Sequence, residues 1–345
     1  MGRVYSAWDL LLSRPVALKE ARDNESASRR LAREAQITAA LNHPCIVSVH
    51  DAGTTAEGQP FYTMRLIAGR PLSELLEEAT DLSSRLGKLR NILDACEAMA
   101  YAHSQGVLHR DLKPENIMVG PFGETAVVDW GLARRLSEEG LPEEGSIVGT
   151  PAYMAPEQAR GNVVGYTGDV FGLGAVLYEL LEGESPWGDV GREESLQRAA
   201  AGALRPMVEA PGKVPPELIA IVQKALATDP SQRYPDARAL AEDLERYLDG
   251  LPVRAYHYRP RDALLRFVRA WRAPLVVGMV ALGLLGLGSV VYVVNLGQAR
   301  DRAETAKEEA KQALHDGNIH LGQALAAQAT AAAERGELAA AEVLA

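Results

Sequence analysis

Cysteine is nearly absent: Cys45 and Cys96 are the only two in 345 residues, and they form no CxxC pair. That excludes a disulfide framework and a thiolate zinc site, and it fits a reducing compartment for the first 270 residues. An excess of basic charge is also missing, since 36 Lys and Arg face 46 Asp and Glu for a net charge of −10. A chain this acidic is poorly suited to hold nucleic acid through its overall field, so no nucleic-acid partner is expected. With 47% apolar and 24% charged residues, disorder is excluded as the main state. At roughly 150 residues per domain the length accommodates two domains or one large bilobal one.

Long apolar runs are scarce, with one exception. Leu275–Val294 is uncharged over twenty residues, the length a helix needs to cross a bilayer core. It lies too far from the N-terminus for a signal peptide. Residues 251–274 ahead of it carry Arg254, Arg259, Arg261, Arg266, Arg269 and Arg272 against one acid, Asp262. Beyond the run, Arg300, Arg302 and Lys307 are diluted by Asp301, Glu304 and Glu308. Positive flanks stay on the cytoplasmic side. The expected topology is therefore single-pass, with the N-terminal part inside and the C-terminus outside. The juxtamembrane arginines are either a solvated linker or a contact for membrane lipids, each worth about 1 kcal/mol against anionic headgroups.

Residues 1–250 read as mixed α and β. Apolar, β-branched stretches predict strands at Ile46–Val49 and Phe61–Ile67. Amphipathic spacing predicts helices at Leu89–His103 and Glu217–Ala227. In residues 297–345, Ala299, Ala303, Ala306, Ala310 and Ala313 recur at four-three spacing, a heptad-like stripe on a helical stalk. After Gly317 the Ala-rich sequence predicts two helices joined at Arg335–Gly336, the start of an extracytoplasmic repeat or sensor region. A single hairpin of this kind cannot bury a core, and a repeat would continue with a period of about 34 residues.

The chemistry is concentrated in short motifs. His109-Arg110-Asp111-Leu112-Lys113-Pro114-Glu115-Asn116 is followed thirteen residues after Asn116 by Asp129-Trp130-Gly131, and then by Ala155-Pro156-Glu157. Upstream stand Val16-Ala17-Leu18-Lys19 and a helical stretch bearing Glu34. Five such elements in this order are not a chance combination. Over residues 1 to about 250 the chain resembles the eukaryotic-type (Hanks-type) protein kinases, specifically the bacterial transmembrane Ser/Thr receptor kinases.

The resemblance implies an α+β bilobal fold with a small, mostly β N-lobe (1–67) and a helical C-lobe (68–250). It also implies an enzyme that moves the γ-phosphate of ATP, with Mg²⁺ or Mn²⁺, onto Ser/Thr hydroxyls of proteins in the bacterial inner membrane. Lys19, paired with Glu34, is implied at the α/β-phosphates. Gly2, Val4, Ala17, Met64, Arg65 and Ile67 are implied around the nucleotide, with Met64-Arg65-Leu66-Ile67 as the hinge. Asp111 is implied as the proton acceptor with Lys113 beside it, and Asn116 and Asp129 as metal ligands. Structural roles fall to Arg110, Thr150, Glu157, Asp169 and Arg233, the last as the ion-pair partner of Glu157. Arg110 marks the members switched on by activation-loop phosphorylation, for which Ser146 and then Ser137 are the candidates. Autophosphorylation in trans, and hence dimerisation, is implied as well.

Two departures stand out. Met1-Gly2-Arg3-Val4-Tyr5 matches only the end of the family's glycine-rich loop, so the first strand is expected to be missing, through a misplaced start or a fragment. That shortfall motivates an alternative, a pseudokinase or scaffold that binds partners without phosphoryl transfer. Trp130 stands where the family usually has Phe, packed beneath the helix of Glu34, and is expected only to tune it.

Overall fold

A computed structural model describes residues 2–21, 25–136, 147–188, 190–207, 214–258 and 272–334. They fall into two units, Met1–His257 and Tyr258–Ala345.

In the first unit, alternation of inward and outward side chains builds an antiparallel sheet from β1 (Arg3–Asp9), β2 (Arg14–Glu20), β3 (Val49–Thr54) and β4 (Pro60–Arg65), in the order β1-β2-β4-β3. Helix α1 (Glu25–Ala39) lays Leu31 and Ala35 against Ala21 and Tyr62, forming a small core. The far end of α1 contributes Ile37 to the larger core, as does Leu41 just beyond the helix. That core is built around α4 (Leu89–Ser104) and α6 (Tyr166–Glu182). Helix α6 is buried along nearly its whole length, as its apolar sequence demands. A Cβ on Gly174 would meet the Ala225 Cβ at 2.7 Å, so glycine there allows α6 to pack closely on α8 (Pro216–Ala225). Helix α9 (Ala237–Leu248) closes the lobe against α4. The shorter α2 (Leu72–Glu78), α3 (Leu82–Leu86), α5 (Pro156–Ala159) and α7 (Arg192–Ala201) fill its periphery. Two small sheets support the loops between the lobes: β5 (Arg70–Pro71), β7 (Ile117–Val119) and β8 (Thr125–Val127), and the pair β6 (Val107–Leu108) with β9 (Arg134–Arg135).

Three details differ from the sequence reading. Ile46 does not open a strand: it forms a single parallel bridge to Val127, and the strand begins at Val49. Val127 N–H donates to the Cys45 carbonyl at 2.8 Å, so this buried segment fastens the N-lobe to the C-lobe. Residues 251–257, expected in the linker, belong to the first unit. Val253 is 2% exposed, and the Asp243 carboxylate accepts from Arg254 N–H, Ala255 N–H and the Tyr234 hydroxyl.

Among its described residues the second unit has one helix, α10 (Arg272–Glu334), which runs through Gly317 without the break expected there. One glycine costs a helix about 1 kcal/mol, and the flanking alanines are the strongest helix formers. The Arg335–Gly336 junction lies outside the described residues. Within α10 the stretch from Pro274 is long and apolar enough to cross a membrane, with a mean hydropathy of 2.2 in its 18-residue window.

Candidate active site

Strand register puts the site on one face of the sheet. Lys19 pairs with Val4 on one side and Tyr62 on the other, while Ala17 pairs with Ser6 and Met64. Because side chains alternate along a strand, Val4, Ala17, Lys19, Tyr62 and Met64 share that face. Gly2 precedes them where a Cβ would stand 2.5 Å from the Glu20 carbonyl oxygen, so only glycine fits this approach. At the end of β4 the Arg65 N–H donates to the Ser48 carbonyl at 3.0 Å.

Lys19 is buried, and its Nζ lies 2.5 Å from Glu34 Oε1 and 2.9 Å from Asp129 Oδ1. Burial works against its charge, but the two carboxylates outweigh it and hold the ammonium above the usual lysine value. Asp129 is likewise opposed by burial and is nevertheless held below the usual carboxylate range, chiefly by Lys19. The Tyr62 hydroxyl donates to Glu34 Oε1 at 2.8 Å and fixes that carboxylate from behind.

Asp111 sits opposite. Its Oδ1 accepts from both the N–H and the hydroxyl of Thr150, each at 2.8 Å, and Lys113 Nζ lies 2.9 Å from that hydroxyl. Lys113 Nζ is 3.4 Å from Asp111 Oδ2. Asn116 donates from Nδ2 to the Asp111 carbonyl at 2.8 Å, which leaves its amide oxygen for another partner. A cavity of about 100 Å³ is lined by Gly2, Lys19, Glu34, Asp111 and Asp129 among others. The donor set fits a hard divalent cation: a carboxylate at Asp129 and an amide oxygen at Asn116. Among the described residues no three His, Cys, Asp or Glu side chains converge into a closed cage. Mg²⁺ suits such a partial shell, because it keeps water and phosphate oxygens as its remaining ligands.

The backbone here is strained. Arg110 and Asp129 have φ of 69° and 59°, a region costly for side chains other than glycine. Asp169 from α6 holds the first of them, accepting Arg110 N–H at 2.8 Å on Oδ1 and His109 N–H at 2.9 Å on Oδ2. Gln158 Nε2 donates to the Arg110 carbonyl at 2.7 Å from the other side. His103 accepts Ala237 N–H on Nδ1, so its Nε2 carries the proton donated to Asp169 at 3.1 Å. Burial opposes ionisation of Asp169, but His103 and the backbone donors keep it below the ordinary range. The Arg110 guanidinium is half-buried, and its affinity for a proton is lowered by burial and by the nearby Arg134 and Arg33. Trp130 is buried with its ring 4.8 Å from that of His109. Lower in the C-lobe, Arg233 meets both oxygens of Glu157, at 2.7 and 2.8 Å.

Residues 1–244 match the protein kinase domain family. The chain belongs to the protein kinase family. It is 37% identical over 265 residues to the serine/threonine-protein kinase PknB of Mycobacterium tuberculosis, an alignment covering 74% of this chain and 42% of that protein. Identity to PknB of Mycolicibacterium smegmatis is 39%, covering 72% of this chain and 41% of the relative. To the serine/threonine-protein kinase PknD of Chlamydia caviae it is 36%, covering 73% and 30%. The matched part thus spans less than half of each relative. The kinase unit has the β-rich N-lobe and helical C-lobe of a bacterial Hanks-type domain, and a protein kinase of this family uses ATP and a divalent metal.

The fold brings Lys19, Glu34, Asp111, Lys113, Asn116, Asp129 and Thr150 around one cleft, with Arg110 and Asp169 directly beneath. Glu157 and Arg233 stand apart from it as a separate pair. Ser137 and Ser146 lie outside the described residues. Sequence reasoning missed Tyr62, Gln158 and His103. Tyr62 had a readable signal, because it is the cross-strand partner of Lys19 once Val16–Glu20 is paired with Phe61–Arg65. Gln158 and His103 carried none, since each acts through a contact made across a long sequence separation.

Proposed function

We propose that the chain is a serine/threonine protein kinase that transfers the γ-phosphate of ATP to protein hydroxyls. The observation that carries this reading is the Lys19 ammonium shared by Glu34 and Asp129 in a cavity that Asp111 also lines. Lys19 would bind the α/β-phosphates while Glu34, braced by Tyr62, keeps the ammonium in place. Val4, Ala17 and Met64 would pack on the adenine, whose edge would meet the Arg65 carbonyl and Ile67. Asn116 and Asp129 would hold Mg²⁺, or Mn²⁺ in its place, which when bound neutralises phosphate charge.

Thr150 occupies Asp111 Oδ1, so Oδ2 is the oxygen that would accept the proton of the incoming hydroxyl. As that proton moves, the new O–P bond forms, the γ-phosphorus to bridging-oxygen bond breaks, and ADP leaves. Lys113, between Thr150 and Asp111, would orient the same hydroxyl.

We further propose a membrane receptor role, with the kinase unit in the cytoplasm, α10 as the single span of a bacterial inner membrane, and residues beyond the span outside. The Arg-rich segment 259–272 would meet anionic headgroups. Bringing two kinase units together would permit phosphorylation in trans on Ser146 or Ser137, and the new phosphate would pair with Arg110 in its arginine-rich surroundings.

The test is to incubate the full chain in lipid nanodiscs with Mg-ATP and a generic protein acceptor. Phosphoserine or phosphothreonine should form on the acceptor, and phosphopeptides should map to Ser146 or Ser137. Phosphate absent from both acceptor and chain would contradict the transfer reading and favour a scaffold. Acceptor phosphate with both serines unmodified would contradict only the autophosphorylation sites.

A further inference from the structure

Helices α4 and α9 pack against each other and leave a valley of about 780 Å³ along their outward faces. On α4 it is lined at positions 97, 100, 101 and 104, and on α9 at 238, 241, 242 and 245. Each set repeats at i, i+3, i+4 and i+7, the spacing of one helix face. Ala100 and Ala241 stand in the middle of the two sets, where longer side chains would fill the space. Tyr101, stacked on His43 at 5.4 Å, and Tyr166, 4.5 Å from the His103 ring, add aromatic walls. Four carboxylates line the valley, Glu97, Asp236, Glu242 and Glu245, against one guanidinium, Arg238. Two of the four are engaged: Asp236 accepts Ala239 N–H at 2.9 Å, and Glu242 meets Arg254 at 2.6 Å. The carboxylates of Glu97 and Glu245 form no ion pair or hydrogen bond with any described residue. Burial holds His43 below the ordinary histidine range, so at neutral pH it does not offset them.

We infer that this valley docks a short, extended, dibasic segment of the protein substrates, apart from the cleft where phosphate is transferred. Charge complementarity carries the choice of occupant. Arginine or lysine heads reach the open carboxylates of Glu97 and Glu245, their aliphatic stems lie on the alanine floor, and the two tyrosine rings take a cation over their faces. Seven helical positions span about 10 Å, which about three residues of extended chain cover. Residues i and i+2 of such a chain point to the same side, so two cations one residue apart fit the valley. An anionic partner would meet four carboxylates. A metal ion is not the occupant that the lining suits, because among the described residues no three His, Cys, Asp or Glu side chains converge. The valley shares no lining residue with the cavity at Lys19. His103, on its inner wall, is already engaged at both ring nitrogens, by Ala237 N–H and by Asp169. Docking therefore raises the effective concentration of the tethered acceptor at the cleft and leaves the catalytic loop as it is.

The inference rests on the proposed transfer activity only in making the segment part of a substrate, and the experiment has an arm without nucleotide. A fluorescein-labelled peptide of alternating arginine and alanine is titrated with the full chain in an uncharged detergent, and its anisotropy is followed. Glu97→Gln with Glu245→Gln should weaken binding about fivefold, and raised salt should weaken it further. Glu308→Gln with Glu309→Gln removes two exposed charges from α10 and should change nothing. Ala100→Phe keeps every charge but fills the floor, and should also weaken binding, with melting profiles confirming that the variants fold. In the second arm, a Ser/Thr acceptor peptide carrying an Arg-Ala-Arg segment should have a KM about fivefold below the same peptide with glutamines there, at equal kcat, and Glu97→Gln with Glu245→Gln should erase the difference. Binding indifferent to the Glu97 and Glu245 changes would overturn the inference, and so would binding that Ala100→Phe leaves intact, which would mean a diffuse acidic field. A parent that does not bind the peptide, but forms a dimer that the Glu97 and Glu245 changes dissociate, would assign the valley to a second copy and likewise overturn it. Valley-dependent binding with no phosphate on any acceptor would support the docking site and contradict the transfer reading instead.

Discussion

Lys19 and Arg233 are both buried cations that meet a buried glutamate, yet their surroundings differ in kind. Arg233 is saturated. Its guanidinium takes both oxygens of Glu157 and the carbonyls of Ala227, Thr167 and Thr228, and it stacks on Phe171 at 4.9 Å. Lys19 divides one ammonium between Glu34, 5% exposed at its side chain, and Asp129, 32% exposed. The half-open second partner leaves the ammonium a contact it can give up to a phosphate. A saturated pair fixes the fold, whereas a shared one at the rim of a cavity can be remade by a ligand.

The comparison predicts a split between activity and stability. Lys19→Met should lower phosphate incorporation by about a hundredfold or more, since it removes an electrostatic contact to the transferring nucleotide. Its urea midpoint should move much less than that of Arg233→Met. Arg233→Met should instead cost about 3–5 kcal/mol of kinase-unit stability, because Glu157 would be left buried without its cation. Urea unfolding of the detergent-solubilised chain measures both. Equal stability losses in the two variants would erase the distinction.

Two smaller effects refine it. Tyr62→Phe removes one hydrogen bond to Glu34, worth about 1 kcal/mol, so kcat/KM for ATP should fall by about fivefold with the fold intact. Glu179 is a third glutamate of the kinase unit, partly buried, but its hydrogen-bond partner is the Tyr153 hydroxyl at 2.7 Å rather than a cation. Burial pushes its carboxyl up to about 7, the tyrosine bond offsets this only in part, and Glu115 and Glu77 add to it. From its ordinary value of 4.5 up to about 7, the folded chain keeps a proton that the unfolded chain has released. This group therefore makes stability fall as pH rises through that window and level off above it. Glu179→Gln should flatten that slope in urea midpoints measured between pH 5 and pH 8.

How much of this was legible depended on the range of each contact. Asp111, Asn116 and Asp129 stand in runs of fixed local spacing, so their neighbourhood could be read from the chain. The inner positions of β2 were equally plain from Val16-Ala17-Leu18-Lys19. Ile46 misled, because an apolar β-branched run looks the same whether it forms a strand or bridges two lobes. Val253 misled for a related reason: Asp243 draws residues 251–257 onto α9, and no local pattern announces a carboxylate eight or more positions upstream. Gly317 looked like a boundary, but a lone glycine does not outweigh the alanines around it. Trp130 was readable as an aromatic under the site, but its ring contact with His109 was not.

The central claim is that Asp111 takes the proton in a transfer carried out by this chain. Intact mass of the full chain, before and after incubation with Mg-ATP, tests it most directly when Asp111→Asn is run beside it. The account predicts that the parent gains phosphate while Asp111→Asn, equally folded by its melting profile, gains about a hundredfold less or none. Equal gains in the two would contradict the role of Asp111, and a parent that gains nothing would contradict autophosphorylation.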